Sequence, residues 1–222
     1  PVFYCCLSLI KRLWIKKMLL VNNIYFKRQS KLILKDVNLS IPPKGIIHLT
    51  GNNGVGKTTL LKIICKILNP DDGEIFWNGK NIKKNHYDYY KNITFILDQN
   101  TSNENLTVFE NIIFWKKIFS SKIKINEIES ILEFLGLLKY KHTSTIHLSF
   151  GEIKKLELIR LIIEQKKLWV LDEPFIGLDL KSVEIIIQTI TNHIELNGMV
   201  IFTSHTLPTI PNINTINLEI NE

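Results

Sequence analysis

The chain has 222 residues, three cysteines, and 28 Lys and Arg against 21 Asp and Glu, a net charge of +7. That length suits one α/β domain or two small ones and buries enough surface to fold without disulfide staples. The small, odd cysteine count argues against a secreted disulfide framework, and 45% hydrophobic with 22% charged residues excludes a disordered chain. Residue usage is skewed: 37 Ile, 25 Lys and 21 Asn, but only three Arg and no Ala. Helix energetics give no reason to avoid Ala. AT-rich codons do, so the chain reads as the product of an AT-rich genome: an organelle, an endosymbiont or a low-GC bacterium.

Residues 1–17 stand apart as a leader, with Cys5, Cys6 and the basic Lys11, Arg12, Lys16 and Lys17 but no acid. The apolar stretch before Lys11 is about ten residues, half of what a spanning helix needs. Its charges follow the apolar part, the reverse of a signal peptide. An interfacial segment and an accessory leader ahead of a start near Met18 both remain open. From Met18 onward the balance is 24 basic to 21 acidic residues, so the charge gives no reason to expect a nucleic acid partner.

Along the remainder, Val37, Leu39 and Ile41 alternate with Asn38 and Ser40, the pattern of a half-buried antiparallel strand. Pro42-Pro43-Lys44-Gly45 predicts a turn, followed by a buried strand over 45–50 and a helix over 57–68, with Cys65 on its apolar side. Asp71-Asp72-Gly73 predicts a second turn, and 93–97 a second buried strand. Residues 104–150 carry helical patterns that interrupt the strand rhythm and predict a helical subdomain over about 104–160, within one domain spanning 18–222. His142 and His147 fall in a polar stretch and read as loop residues. Helices over 151–164 and 181–196 alternate with strands over 168–171 and 199–203. Strands alternating with helices predict an α/β fold around a mostly parallel sheet.

Two segments carry chemistry. Gly51-Asn52-Asn53-Gly54-Val55-Gly56-Lys57-Thr58-Thr59 follows a predicted strand and opens a predicted helix, matching G-x-x-x-x-G-K-[ST] in its required context. Glycines there let backbone N–H groups turn inward around a phosphate, and the helix N-terminus adds positive potential. Lys57 would reach the β- and γ-phosphates of ATP, and Thr58 would offer its hydroxyl to Mg²⁺. The run Leu168–Leu171 ends in Asp172-Glu173-Pro174. A carboxylate at the C-terminal end of a buried parallel strand sits where such sheets bind ligands. Asp172 would hold Mg²⁺ through water, and Glu173 would polarise the attacking water.

The order of motifs from about Leu19 to the C-terminus resembles the ATP-binding subunit of an ABC transporter. Leu148-Ser149-Phe150-Gly151-Glu152 is similar to the family's signature L-S-G-G-Q, Gln99 to its Q-loop glutamine, Gly177-Leu178-Asp179 to its D-loop and His205 to its switch histidine. Tyr25 or Phe26 is similar to its adenine-stacking aromatic. The resemblance implies a P-loop NTPase of the ABC ATPase type, with a RecA-like core, an antiparallel β subdomain and a helical subdomain. It implies ATP held between two copies of the chain, with Ser149 and Gly151 contacting the γ-phosphate in trans. Glu173, His205, Lys57 and Gln99 would serve catalysis, Thr58, Gln99 and Asp172 the Mg²⁺, and Asp179 the contact between copies. Gln99 would also couple the nucleotide to an integral membrane partner. Phe150 and Glu152 depart from the family's Gly and Gln. Glu152 suits the first turn of a helix electrostatically, but would slow turnover if it faced the phosphate.

Four stretches, 73–79, 106–111, 172–175 and 198–205, resemble the ATP-binding subunit of the haem exporter of cytochrome c maturation. That branch implies a haem-exporter permease as partner and a peripheral place on a membrane, on the matrix side of a mitochondrion or the cytoplasmic side of a bacterial inner membrane. An ATP-binding subunit of another exporter (drug, lipid or ion) and a non-transport ABC-type ATPase scaffold are the alternatives. No N-K-x-D motif points to a GTPase, and no residue reads as a haem ligand.

Overall fold

The computed structural model describes residues 18–205 and 209–219. The leader 1–17 lies outside them.

The strands are β1 (Leu19–Arg28), β2 (Lys31–Ile41), β3 (Ile46–Thr50), β4 (Asp72–Trp77), β5 (Lys80–Asn81), β6 (Ile93–Ile96), β7 (Leu168–Leu171), β8 (Met199–Thr203) and β9 (Asn214–Asn217). The helices are α1 (Lys57–Ile64), α2 (His86–Tyr90), α3 (Val108–Ile118), α4 (Ile125–Phe134), α5 (Phe150–Glu164) and α6 (Leu180–Glu195). Two sheets form: an antiparallel one in the order β2-β1-β4-β5 and a parallel one in the order β6-β7-β8-β3-β9.

The parallel strands read as continuous apolar runs because each is buried on both faces. Leu168 and Val170 of β7, and Met199 and Ile201 of β8, enter a core shared with α1 and the antiparallel sheet. Their neighbours Trp169, Leu171, Val200 and Phe202 enter a second core with α3, α4, α5 and α6. The period-two alternation of a strand thus divides one apolar run between two cores. Along β2, Leu39 and Ile41 are buried and Asn38 is exposed, as their alternation predicts.

Several elements differ from the sequence reading. α1 stops at Ile64 rather than Leu68. Lys66 takes a left-handed φ of 58°, its N–H donates to the Ile63 carbonyl, and the Ile67 N–H donates to that of Lys62. This pair of bonds is the Schellman closure, here made with a lysine where glycine is usual. Cys65 caps this helix and is fully buried, as expected of a core cysteine. The turn expected at Asp71-Asp72-Gly73 is instead the start of β4, which pairs with β1 across an irregular register between Asn22 and Tyr25. Gly73 permits that approach: at φ 97° its missing side chain leaves room for the carbonyls of Asn22 and Asn23. β1 and β9 were not expected. β1 is interrupted by the polar pair Asn22-Asn23, with Asn23 at φ 49°, and β9 is polar and mostly exposed. Among the described residues no helix is long and apolar enough to cross a membrane.

Candidate active site

Lys57, Thr58, Asp172, Glu173 and His205 all follow the C-terminal ends of parallel strands. The loop after β3 turns through Gly51, Gly54 and Gly56 at φ of 135°, 79° and 106°, a left-handed region that costs other residues strain. Gly56 is also a steric necessity. A Cβ there would lie 2.9 Å from Ile33 Cγ2 and from Leu34 Cδ2, so β2 rests directly on the loop. Lys57 opens α1, and its Nζ donates to the carbonyls of Gly51 (2.7 Å) and Asn52 (3.1 Å). Its charge is therefore folded back over the loop.

One residue further, the Thr58 hydroxyl donates to Asp172 Oδ2 at 2.7 Å. These residues are 114 apart in sequence, and the sheet order brings them together. Asp172 is buried, and its Oδ1 accepts from the Thr203 hydroxyl at 2.6 Å. That hydroxyl in turn accepts the Glu173 backbone N–H at 2.8 Å. The bond matters because Glu173 sits at φ 46°, a strained conformation for a non-glycine residue. Thr203, at the end of β8, thus fixes both members of the acidic pair. The sequence reading took it only as a strand terminus. The signal for it was the pairing of β7 with β8, which sets Leu171 opposite Phe202 and so Asp172 beside Thr203.

His205 Nε2 lies 3.6 Å from Glu173 Oε1, with His205 more exposed than Glu173. Lys154, on α5, also lines the cleft, and its Nζ donates to the Asp172 carbonyl at 3.4 Å. Burial lowers its pKa, and the charges of Asp172, Glu157 and Glu173 oppose that shift. The cleft has a volume of about 490 Å³, and Gly54, Lys57, Thr58, Asp172, Glu173 and His205 are on its wall. Asn53, Gly56 and Thr59 also line it. Val55 does not: it is buried and packs into the core.

Other predicted residues lie elsewhere. Gln99 is exposed in the loop after β6, and its neighbours Asp98 and Asn100, not Gln99 itself, line the cleft. The stem of that loop is clamped to α5: Thr101 and Ser102 donate their backbone N–H groups to Glu157 Oε1, each at 2.7 Å. Arg160 bonds Thr101 Oγ1 at 3.0 Å and Glu164 at 2.7 Å, completing a buried cluster. Tyr25 and Phe26 are not on the cleft wall either. Tyr25 pairs with Asp72 in the sheet, and Phe26 packs against the core.

Ser149 caps α5 in a capping box. Its hydroxyl and its N–H both donate to Glu152 Oε2 at 2.8 Å, and its Oγ accepts the Glu152 N–H. Burial raises the Glu152 carboxyl, but hydrogen bonds from Tyr140 and Ser149 outweigh it, so the pKa lies below its ordinary value. The carboxylate therefore faces its own helix cap. Gly151 is pressed against the chain: a Cβ there would lie 2.5 Å from the Gly177 carbonyl. The Phe150 ring covers Gly177, which at φ 79° has no side chain to obstruct it. Asp179 caps α6 by accepting the Ser182 N–H at 2.8 Å, a bond that lowers its pKa.

The model of the ABC transporter family matches residues 34–176, from the hairpin over the phosphate loop to just past the acidic pair. The chain belongs to the ABC transporter ATP-binding family. The structural neighbours agree with this ABC ATPase fold. An ABC transporter ATP-binding protein from Pyrococcus furiosus superposes with a TM-score of 0.77 at 26% identity, over 90% of this chain and 96% of that one. An ATP-binding subunit of an ABC transporter superposes at 0.76 and 22% identity, over 86% and 80%, and supports the fold alone. Among curated relatives, the cytochrome c biogenesis ATP-binding export protein CcmA of Vibrio vulnificus is 31% identical over 188 residues, 85% of this chain and 92% of that protein. The proteins of the same name from Legionella pneumophila and Haemophilus influenzae are 35% identical over 188 residues and 30% over 185. They are covered to 92% and 87% of their lengths, by 85% and 83% of this ABC subunit.

Proposed function

We propose that this ABC ATP-binding subunit hydrolyses ATP to drive a membrane-embedded haem exporter in c-type cytochrome biogenesis. The observation that carries the enzymatic half is the convergence of Lys57, Thr58, Asp172 and Glu173 on one cleft. The haem branch rests on the names of the relatives, which agree with the resemblance of 73–79 and 106–111.

The donors fit ATP and Mg²⁺. Thr58 and Asp172 supply a hydroxyl and a carboxylate 2.7 Å apart, the sparse protein ligation that Mg²⁺ takes when substrate phosphates complete its shell. Bound there, Mg²⁺ would neutralise charge on the β- and γ-phosphates. The backbone N–H groups of 51–58 cradle the phosphates, with Lys57 exchanging its loop carbonyls for phosphate oxygens. The Glu173 carboxylate, whose backbone is fixed by Thr203, orients and deprotonates the attacking water, and His205 beside it stabilises that arrangement. Gln99 links the site to the permease through the loop that Glu157 anchors. Ser149 and Gly151 meet the nucleotide of a second copy once Ser149 releases Glu152, and Asp179 lies at that same junction. Its place is the cytoplasmic face of an inner membrane, reached through the permease. The relatives are bacterial; the mitochondrial setting rests on composition alone.

Lys57→Ala is expected to abolish Mg²⁺-dependent ATP binding, and full retained affinity would sink the site assignment. Glu173→Gln is expected to accumulate an ATP-bound dimer in light scattering, and a purely monomeric chain in excess ATP would count against the two-copy mechanism. The branch is tested by co-purification. A haem-handling permease is the expected companion; a permease for another cargo, or none, would transfer the chain to another exporter or to a scaffold ATPase.

A further inference from the structure

Lys154 is a cation on the cleft wall that belongs to none of the sequence motifs. It lies on α5, four residues after Phe150, and both line the cleft with Lys57, Thr58, Asp172 and Glu173. Residues four apart share a helix face, so this face of α5 is turned toward the cleft of its own subunit. The neighbouring Lys155 is committed elsewhere, with its Nζ 3.7 Å from Asp179 Oδ2.

The Lys154 ammonium is poorly satisfied where it stands. It offers three N–H donors. Among the described residues the only acceptor it meets is the Asp172 carbonyl, at 3.4 Å, and no carboxylate lies within ion-pair distance. Burial disfavours its charged form, and the charges of Asp172, Glu157 and Glu173 counteract that. A half-buried cation with one long bond is costly unless an acceptor joins it. Lys57 rests in a similar way on the carbonyls of Gly51 and Asn52. Both lysines are therefore held by neutral partners, which the charged oxygens of a phosphate displace.

The two approach from different sides. Lys57 rises from the loop that cradles the phosphates. Lys154 stands beside the acidic pair, where the Thr58–Asp172 contact marks the Mg²⁺ and Glu173 the attacking water. A phosphate between them is the terminal one. It also meets the Glu173 carboxylate there, and a second cation offsets that repulsion.

We infer that Lys154 binds the terminal phosphate of the nucleotide held by its own subunit and makes the site prefer a triphosphate to a diphosphate. The proposal rests on the nucleotide-site reading above. It is separate from the roles of Ser149 and Gly151, which meet the nucleotide of a second copy, and of Lys57, which reaches the β-phosphate as well.

Two probes test it: the β,γ-imido analogue of ATP, which resists hydrolysis, and ADP, each with Mg²⁺ and titrated calorimetrically into the full chain. The chain is kept at a concentration where light scattering shows a monomer, so that no second copy contributes. Lys154→Met keeps the apolar stem and removes the charge. It is expected to weaken the triphosphate by about 10- to 150-fold and to leave ADP unchanged, which also reports that the variant is folded. Lys154→Arg, which keeps a cation, is expected to retain most of the preference. Equal loss of both probes, or no loss of the triphosphate, would overturn the proposal. So would an arginine variant as weak as the methionine one, which would leave Lys154 a packing residue. Lys57→Ala serves as the separate control. If it keeps both probes, the nucleotide site itself is wrong; if it loses both while Lys154→Met loses neither, only the role of Lys154 fails.

Discussion

Thr203 offers the sharpest test of how the acidic pair is held. Thr203→Val keeps the side chain's shape but removes the hydroxyl that donates to Asp172 Oδ1 and accepts from the Glu173 N–H. Position 203 is fully buried, so water cannot replace the lost partner. Two polar groups are stranded, and each such loss costs about 1–3 kcal/mol. A total of about 2–6 kcal/mol is expected, with little cavity contribution because volume is retained. For a domain of this size each kcal/mol lowers Tm by about 2–4 °C, so thermal unfolding should shift down by at least about 4 °C and by up to about 24 °C. Hydrolysis should fall further than stability explains. The Glu173 backbone loses the bond that holds its φ at 46°, and if Glu173 is the general base proposed above, its displacement forfeits a factor of about 100 or more. ATP binding, carried by the phosphate loop, should weaken much less. Thr203→Ser keeps the hydroxyl and should keep hydrolysis. A Thr203→Val protein that melts within about 2 °C of the native one and turns over ATP at the native rate would refute the reasoning.

Two further expectations concern groups outside the phosphate site. Glu157→Ala frees the Thr101 and Ser102 amides and breaks a buried ion cluster, at about 3 kcal/mol. Hydrogen exchange at those two amides should rise well above that of the surrounding strands; unchanged protection would mean that the clamp does not hold the loop. His193 stacks on Trp169 with ring centroids 3.6 Å apart, and burial lowers its pKa to about 4. The unfolded chain takes up that proton near pH 6.5 and the folded chain only near pH 4, so stability is complete above pH 6.5 and declines as pH falls toward 4. His193→Phe should flatten that part of the profile, and an unaltered slope between pH 6.5 and 4 would assign the dependence to other groups.

The features legible in sequence were those with a local cause. Gly51 to Thr58 announces itself because loop, glycines and helix start are contiguous. Strands β3, β7 and β8 are legible because burial on both faces leaves an unbroken apolar run. What was not legible depends on neighbours distant in the chain. Thr203 becomes a site residue only through the register between β7 and β8. β1 escapes a pattern search because Asn22-Asn23 breaks its alternation at the irregularity facing Gly73. Tyr25 or Phe26 is the base-stacking aromatic expected from the family resemblance, but neither lines the cleft, which Arg28 does instead. The end of α1 at Lys66 had no glycine to mark it.

The strand order of the parallel sheet has a consequence for biosynthesis. β3, its first strand to be translated, lies between β8 and β9, its last two. Ile46 pairs with Val200, about 150 residues later in the chain. Contacts of such separation form late because a long loop must close first. Asp172, which pairs with Thr58, follows β7, and Thr203, which holds Asp172, ends β8, so both also arrive late. A nascent or truncated chain therefore carries the phosphate-loop sequence without a working site, and competence for ATP appears only once the chain is nearly whole. Hydrolysis is in this way withheld from incomplete subunits by topology alone.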